Sequence, residues 1–447
     1  MITRGVIAVN ITTPLKAGTD LGAILIREME AEIQPATGCT EVAAAALVVA
    51  RAVEALGAAP VRVAVTVSAN VYKNGLLVGI PGTDLQGIQV AAALGAVIQR
   101  SDASLAILDF VDDKAIAAAN AMVAANAITV KFDGRAPDVV YFRADVEAGL
   151  DRASATIQGT HAHFIEVSKN ETVVYSAPKT SSGKGEEADL GVYSVAEVID
   201  AVIRLSPASL DWLIEAAEVN LAAARAGIAK HQPLGRALAG WKNPATGVDA
   251  GAARVQLLSG AASEARMRGL PVRVMSLSGS GNHGIANFLG VYGFAQEIGA
   301  DRKQLAHALA IASAITIYIK GFTGRLTAFC GCTIAPATGV AAAAVYLLGG
   351  DTTLMIKAMQ SVIGTFAGML CDGAKLSCAY KVSSTVMSAI HFARLAMEGA
   401  YCPAGEGIVG RTIEETFENL GVLNHRGMQQ TDSVVIQLIE KNAGMLD

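Results

Sequence analysis

The residues of this 447-residue chain best equipped for chemistry are its six cysteines. Four of them lie in two glycine-flanked segments, Cys330-Gly331-Cys332 and Cys371-Asp372-Gly373-Ala374-Lys375-Leu376-Ser377-Cys378. Thiolates bind zinc and build iron–sulfur clusters. Structural zinc sites bring their ligands in paired short spacings, and the compact ferredoxin run is tighter still. Neither pattern is met here. Ligands drawn from three separate loops would instead suit a catalytic cluster with one iron left open. Ordinary buried thiols explain the same spacing equally well, because free cysteine is among the most buried residue types.

Cys39 stands apart, in Gln34-Pro35-Ala36-Thr37-Gly38-Cys39-Thr40-Glu41. Gly38 permits a tight turn, and the Ala-rich run after Glu41 makes Cys39 a helix N-terminal residue. Unpaired backbone N–H groups and the helix dipole there favour a thiolate, so a lowered thiol pKa is expected. Nucleophile, base and metal ligand are all open to it, as is a thiol packed under a turn. Cys402, followed by Pro403, has no comparable setting. The loop Ser276 to Gly284 offers successive N–H groups that can cradle an anion, with Ser280 and Asn282 adding hydrogen bonds. It fits neither a Walker loop nor a dinucleotide fingerprint, so a carboxylate suits it better than a nucleotide. Tyr72-Lys73-Asn74-Gly75 with Gly79-Ile80-Pro81-Gly82-Thr83 is expected as a strand end, a turn and a helix start. Lys73 and Asn74 could there grip a substrate carboxylate, or belong to a solvated hairpin. His161 and His163 fall on one strand face. With no carboxylate near them in sequence, they are taken as structural.

The elements that must position these groups divide by texture. Residues 18–57 are expected as helix, irregular turn and Ala-rich helix. From 61 to 176 strand alternation dominates, around 61–67, 105–110, 128–132, 139–144 and 163–167, interrupted by a helix near 85–98. The polar, Ser-, Gly- and Lys-rich stretch 176–189 suits an exposed loop. Beyond it, helical periodicity covers 195–204, 210–226, 251–267, 302–319, 340–348, 352–369 and 375–397. The expectation is an α+β fold, with an α+β domain over 1–190 and an all-α domain over 191–447. One echo links them. Gly38-Cys39-Thr40 and Gly331-Cys332-Thr333 each lead into an Ala-rich helix, and each has Pro-Ala-Thr-Gly beside it.

Composition bounds the partners. Apolar residues make up 52% and charged residues 17%, with mean hydropathy +0.42. The most apolar stretches, such as 305–319, fall short of the about 20 residues a membrane span needs. Alanine supplies much of the hydrophobicity, which points to closely packed helices and no membrane. Net charge −5 and 5% aromatics argue against nucleic acid. Scattered cysteines without a secretory signal suggest a reducing cytoplasm. Homo-oligomerisation is left open.

Taken together, Pro35 to Glu41, Tyr72-Lys73-Asn74 with Val78 to Thr83, Gly279-Ser280-Gly281-Asn282, Cys330-Gly331-Cys332, and Cys371 to Lys375 ending at Cys378 resemble the L-cysteine desulfidase family. The resemblance spans about residues 20–445, and the C-terminal half is also similar to the α domain of iron–sulfur L-serine dehydratases. It implies a [4Fe-4S] cluster on three cysteines without pyridoxal phosphate. Cys371 and Cys378 match two ligands, and Cys332 fits the third better than Cys330. Cys39 matches a cysteine acting as base or transient ligand. Lys73, Asn74, Ser280 and Asn282 would bind the carboxylate of an amino acid substrate. The implied reaction is β-elimination from L-cysteine to pyruvate, ammonia and hydrogen sulfide. L-serine or a related hydroxy-amino acid is the alternative. A pyridoxal-phosphate lyase using Lys375 or Lys381, and a non-catalytic cluster-binding or redox-sensing protein, are further readings. Val42, His283 and Leu376-Ser377 depart from the family pattern and bear on substrate identity.

Overall fold

The computed structural model describes residues 20–177, 190–241 and 247–445. All but the first two residues of the stretch expected as an exposed loop (176–189) lie outside them. The first half runs α1 (Leu21–Glu32), β1 (Pro35–Thr37), α2 (Thr40–Leu56), β2 (Arg62–Ser68), α3 (Ala69–Gly75), α4 (Ile88–Ile98), a 3-10 stretch (Ser101–Phe110) and α5 (Asp113–Ala124). Five strands follow: β3 (Ile128–Asp133), β4 (Tyr141–Ala148), β5 (Asp151–Gln158), β6 (Phe164–Lys169) and β7 (Thr172–Ser176). Then come α6 (Val195–Arg204), α7 (Asp211–Ala229), α8 (Pro233–Ala239), α9 (Gly247–Met267), the short β8 (Arg273–Met275), α10 (Gly281–Glu297) and α11 (Arg302–Thr323). The chain ends with α12 (Gly331–Leu347), α13 (Thr352–Phe366), α14 (Ser377–Met397), α15 (Ile413–Val422) and α16 (Thr431–Asn442). The fold is α+β.

Six strands form one sheet in the order β3-β2-β4-β5-β6-β7. Only the β2–β3 pair is parallel, since helices cross over between them, and the remaining pairs are antiparallel. Val63, Val65 and Val67 alternate into the core, the period-2 signature of a half-buried strand. The core they enter is filled by α2, whose alanines and valines are nearly all buried. A second core belongs to the helices, with α10, α11 and α12 buried on almost every side. Small residues make this possible. A Cβ on Gly339 would stand 2.4 Å from the Ala312 carbonyl oxygen, so α12 and α11 touch through backbone. α11 is long and apolar enough to cross a membrane, but 78% of its most apolar window is buried inside the protein.

The first and last described helices cross between the two cores. Ile24, Leu25 and Met29 of α1 pack with the helices, and Val435, Ile436 and Ile439 of α16 pack with the sheet. β1 pairs antiparallel with β8, matching Pro35 to Met275 and Thr37 to Arg273. That small ladder carries the start of α2 to the Ser276–Gly284 loop.

Several local expectations are corrected. Residues 105–110 are 3-10 helix and not strand, because the adjacent Ile107 and Leu108 are both buried and break the alternation. Residues 71–75, expected as strand end and turn, form α3 directly after β2. α5 escaped notice because only Ala115 and Ala119 face the core. α12 begins at Gly331, before the expected 340, with Pro336 inside it. Pro336 cannot donate an N–H, which leaves the carbonyl of Cys332 free in the helix's first turn. His161 lies in the turn before β6, and His163 bonds the Gln158 carbonyl through Nδ1 at 3.1 Å, so the two do not share a strand face.

Candidate active site

Four helices begin at one cavity between the two cores. Cys39 is the N-cap of α2, Ser280 of α10 and Cys330 of α12, while Cys378 is the second residue of α14. A helix N-terminus carries the positive end of the helix dipole, a setting that favours thiolates and anionic guests. Local backbone explains the convergence. Gly38 takes φ +71° against Pro81, a turn no larger residue fits, since a Cβ there would stand 2.2 Å from the proline ring. Residues 328–330 and 369–371 pair as a short bridge, with Cys330 N on Met369 O at 2.6 Å and Cys371 N on Ala328 O at 2.9 Å. This bridge sets Cys330 and Cys371 diagonally across the Phe329–Leu370 pair. Gly373, at φ +91°, lets the next turn pass the Lys73 carbonyl, 2.2 Å from where its Cβ would be.

The cavity is lined by Cys39, Asn74, Ser280, Asn282, Cys330, Cys332, Cys371 and Cys378 among others. Cys330, Cys332, Cys371 and Cys378 are electrostatic neighbours of one another. Ser280 Oγ meets Cys332 Sγ at 3.4 Å, Asn74 Oδ1 faces Cys371 Sγ at 3.9 Å, and Cys378 Sγ reaches the Gly373 carbonyl at 3.4 Å. None of the six cysteines is in a disulfide. Cys402 sits away from the cavity, its backbone N–H on Ser361.

Lys73 does not join the lining as expected. Its side chain is fully buried and its ammonium is paired with Asp432 of α16, behind Cys371. Burial alone would lower its pKa, but Cys371 and Asp432 hold it above the ordinary value. Lys73 thus ties α3 to α16, helped by Asn70 on Asp432 at 2.6 Å and Tyr72 on Glu440 at 3.0 Å. Asn282 lines the cavity, but its Oδ1 already accepts from Ser263 and Arg266 at 3.3 Å each. Lys381 is committed to Asp372 and the Leu370 carbonyl.

The expected lowering of the Cys39 pKa is also corrected. Burial, reinforced by the Glu41 charge, pushes this thiol well up and outweighs the helix terminus. Cys39 Sγ donates to Glu41 Oε2 at 2.7 Å, while Asn74 Nδ2 donates to Glu41 Oε1 at 2.8 Å. Burial would raise the Glu41 carboxyl, yet His161, Cys39 and Asn74 hold it below the ordinary 4.5. Burial lowers the His161 pKa, against the opposing pull of the Glu41 carboxylate. The carboxylate partner that His161 lacks nearby in sequence is therefore Glu41, 120 positions earlier.

Other groups were missed by sequence reasoning. Arg266 is buried and bonds the Gly38 carbonyl through Nε at 3.0 Å, locking the Cys39 turn to α9. Burial lowers Lys320 to about 8 and His283 to about 3. Lys320 Nζ has no hydrogen-bond partner among the described residues, and a Cβ on Gly331 would lie 3.3 Å from it. Such a buried cation beside Cys332 is costly unless an anionic centre fills the space. Three or four thiols plus this unbalanced cation form a donor set that fits a thiolate-held iron–sulfur cluster. Among the described residues, no three Cys, His, Asp or Glu side chains close around a common point at ligating distance.

Relatives bear on the family. Residues 143–437 match the serine dehydratase alpha chain family. A "UPF0597 protein" of Methanocella arvoryzae is 44% identical over 417 residues, covering 93% of this chain and 98% of that protein. Another from Bacteroides thetaiotaomicron is 35% identical over 94% of this chain and 98% of its own length. One from Alkaliphilus oremlandii is 32% identical over 95% and 100%. With more than half of its length matched and such relatives end to end, the chain belongs to the serine dehydratase alpha chain family, within its UPF0597 group.

Proposed function

We propose that the protein is a [4Fe-4S]-dependent lyase that β-eliminates a small amino acid, L-cysteine in the first instance. The observation that carries this is the gathering of Cys332, Cys371 and Cys378 in the cavity that also presents Cys39. Cys332, Cys371 and Cys378 would hold the cluster, with Cys332 preferred to Cys330 because its Gly-Cys setting resembles that of the dehydratase ligand. When bound, the cluster supplies a Lewis acid for the β-leaving group.

The remaining work falls to side chains. Cys39 Sγ rests protonated against the Glu41 carboxylate, so it must lose its own proton before it can take the substrate α-proton. Ser280, with the N–H groups at the start of α10, receives the substrate carboxylate, and Asn282 holds Arg266 in place beside it. The buried walls keep water from the α-carbon. L-serine is the second reading, favoured by the match to the serine dehydratase alpha chain.

Anaerobically reconstituted protein should release pyruvate from L-cysteine with stoichiometric sulfide. Turnover of L-serine alone would replace the first substrate with the second. Absence of product from any amino acid, with the cluster intact, would leave a binding or sensing role.

A further inference from the structure

Among the described residues that line the cavity, Glu41 is the one carboxylate. It is 6% exposed, and its hydrogen-bond donors Cys39, Thr40 and Asn74 are all neutral. A buried carboxylate held only by neutral hydrogen-bond donors carries a large desolvation cost, which an incoming cation relieves. Beside it, His161 is also 6% exposed and its Nε2 has no hydrogen-bond partner. In the tautomer with its proton on Nδ1, that nitrogen is a free acceptor. Asn74 gives its amide N–H to Glu41 and turns its Oδ1 toward the cavity. Three groups from separate segments thus line the same cavity and offer acceptors for the three N–H donors of an ammonium group.

A second group of residues lining the cavity has the opposite character. Ser278 Oγ is buried without a partner, and Ser278 itself takes φ +48°, unusual for a residue with a side chain. Next to it, a Cβ on Gly279 would stand 3.3 Å from Arg325 Nη1, whose guanidinium is also paired with Glu32. The lining is therefore acidic and acceptor-rich at one group of residues, basic and donor-rich at another.

We infer that Glu41, Asn74 and His161 form a subsite for the α-ammonium of a zwitterionic amino acid, whose carboxylate is taken by the Ser278–Ser280 loop. This deepens the proposed function and rests on it for the reaction. The subsite makes the protein selective for α-amino acids over the same acids lacking the amino group. Glu41 is the residue that sets this preference.

The test is anaerobic titration calorimetry of the cluster-loaded protein with L-alanine and L-2-aminobutyrate, which carry no β-leaving group, beside propanoate and butanoate, with turnover of L-serine and L-cysteine followed separately. Wild type should prefer each amino acid over its deaminated analogue. Glu41→Gln should weaken amino acid binding roughly 10- to 100-fold, the scale of a charge-assisted hydrogen bond, and leave the analogues unchanged. Glu41→Asp, which keeps the charge, should retain the preference. Equal binding of both ligand classes by wild type overturns the subsite, whatever the variants do. So does an equal loss for both classes in Glu41→Gln with iron content retained. A preference for amino acids without turnover would instead sink the proposed reaction and leave the subsite standing.

Discussion

The two sides of the cavity are built differently. On the C-terminal side, the cysteines are set by backbone: a bridge joins 328–330 to 369–371, and helices α12 and α14 start at the thiols. On the N-terminal side, the functional atoms are set by side chains, with Glu41 holding Cys39 and Asn74. Burial raises the thiols on both sides, Cys378 to about 12, but among the described residues only the C-terminal side has an unpartnered cation, Lys320, beside them. One side is therefore suited to hold an anionic cluster, the other to keep a thiol protonated beside a carboxylate. A helix N-terminus alone does not make a thiolate. Cys39 occupies one and is still pushed up, because desolvation outweighs the dipole in a buried site.

This contrast can be broken in order of expected effect. Cys332→Ala, Cys371→Ala or Cys378→Ala should each abolish stable iron and sulfide incorporation, measured anaerobically beside Cys402→Ala, which should load fully. Full loading of all three would remove the ligand assignment. Cys39→Ala should keep its iron but lose turnover by roughly 10²- to 10⁴-fold, the usual worth of a general base. Loss of iron in this variant would instead make Cys39 part of the cluster's shell.

Asp432→Asn tests how α16 supports the site from outside it. Lys73 would keep a buried charge without its partner, costing about 3 kcal/mol in denaturant unfolding. No change would mean that α16 merely covers α3. The smallest effect concerns acid stability. Glu41 is held below the ordinary 4.5, so its ionised form favours the native state. That contribution is complete above the unfolded value and is lost as pH falls through the lower native one. Acid titration should therefore show a contribution in wild type, below about pH 4.5, that is missing in Glu41→Gln. Parallel acid profiles would argue against an ionised Glu41.

Much of the fold was legible. Val63, Val65 and Val67 announced a half-buried strand, and α6, α7, α9, α11, α13 and α14 followed from their periodicity, whereas α8, α15 and α16 were not expected. The elements that escaped have physical reasons. α5 buries too little to show a stripe, and Pro336 disguised the first turns of α12. The echo of Gly-Cys-Thr before an Ala-rich helix marked a real symmetry of use, since both helices start at the cavity. His161 was passed over because its carboxylate is close only in space. Lys73 was misassigned because its partner, Asp432, arrives from the far end of the chain.

What the sequence determined by itself was chemistry type: which residues bear thiols, which turns need glycine, and which segments must be helix. These depend on local sterics and on periodic burial, both encoded within a few residues. Only tertiary structure decided charge and partnership. Whether Cys39 is thiol or thiolate, whether Lys73 faces a substrate or an aspartate, and which carboxylate meets His161 depend on desolvation and on contacts across hundreds of positions. Those quantities exist only once β1 has paired with β8 and α16 has closed over α3.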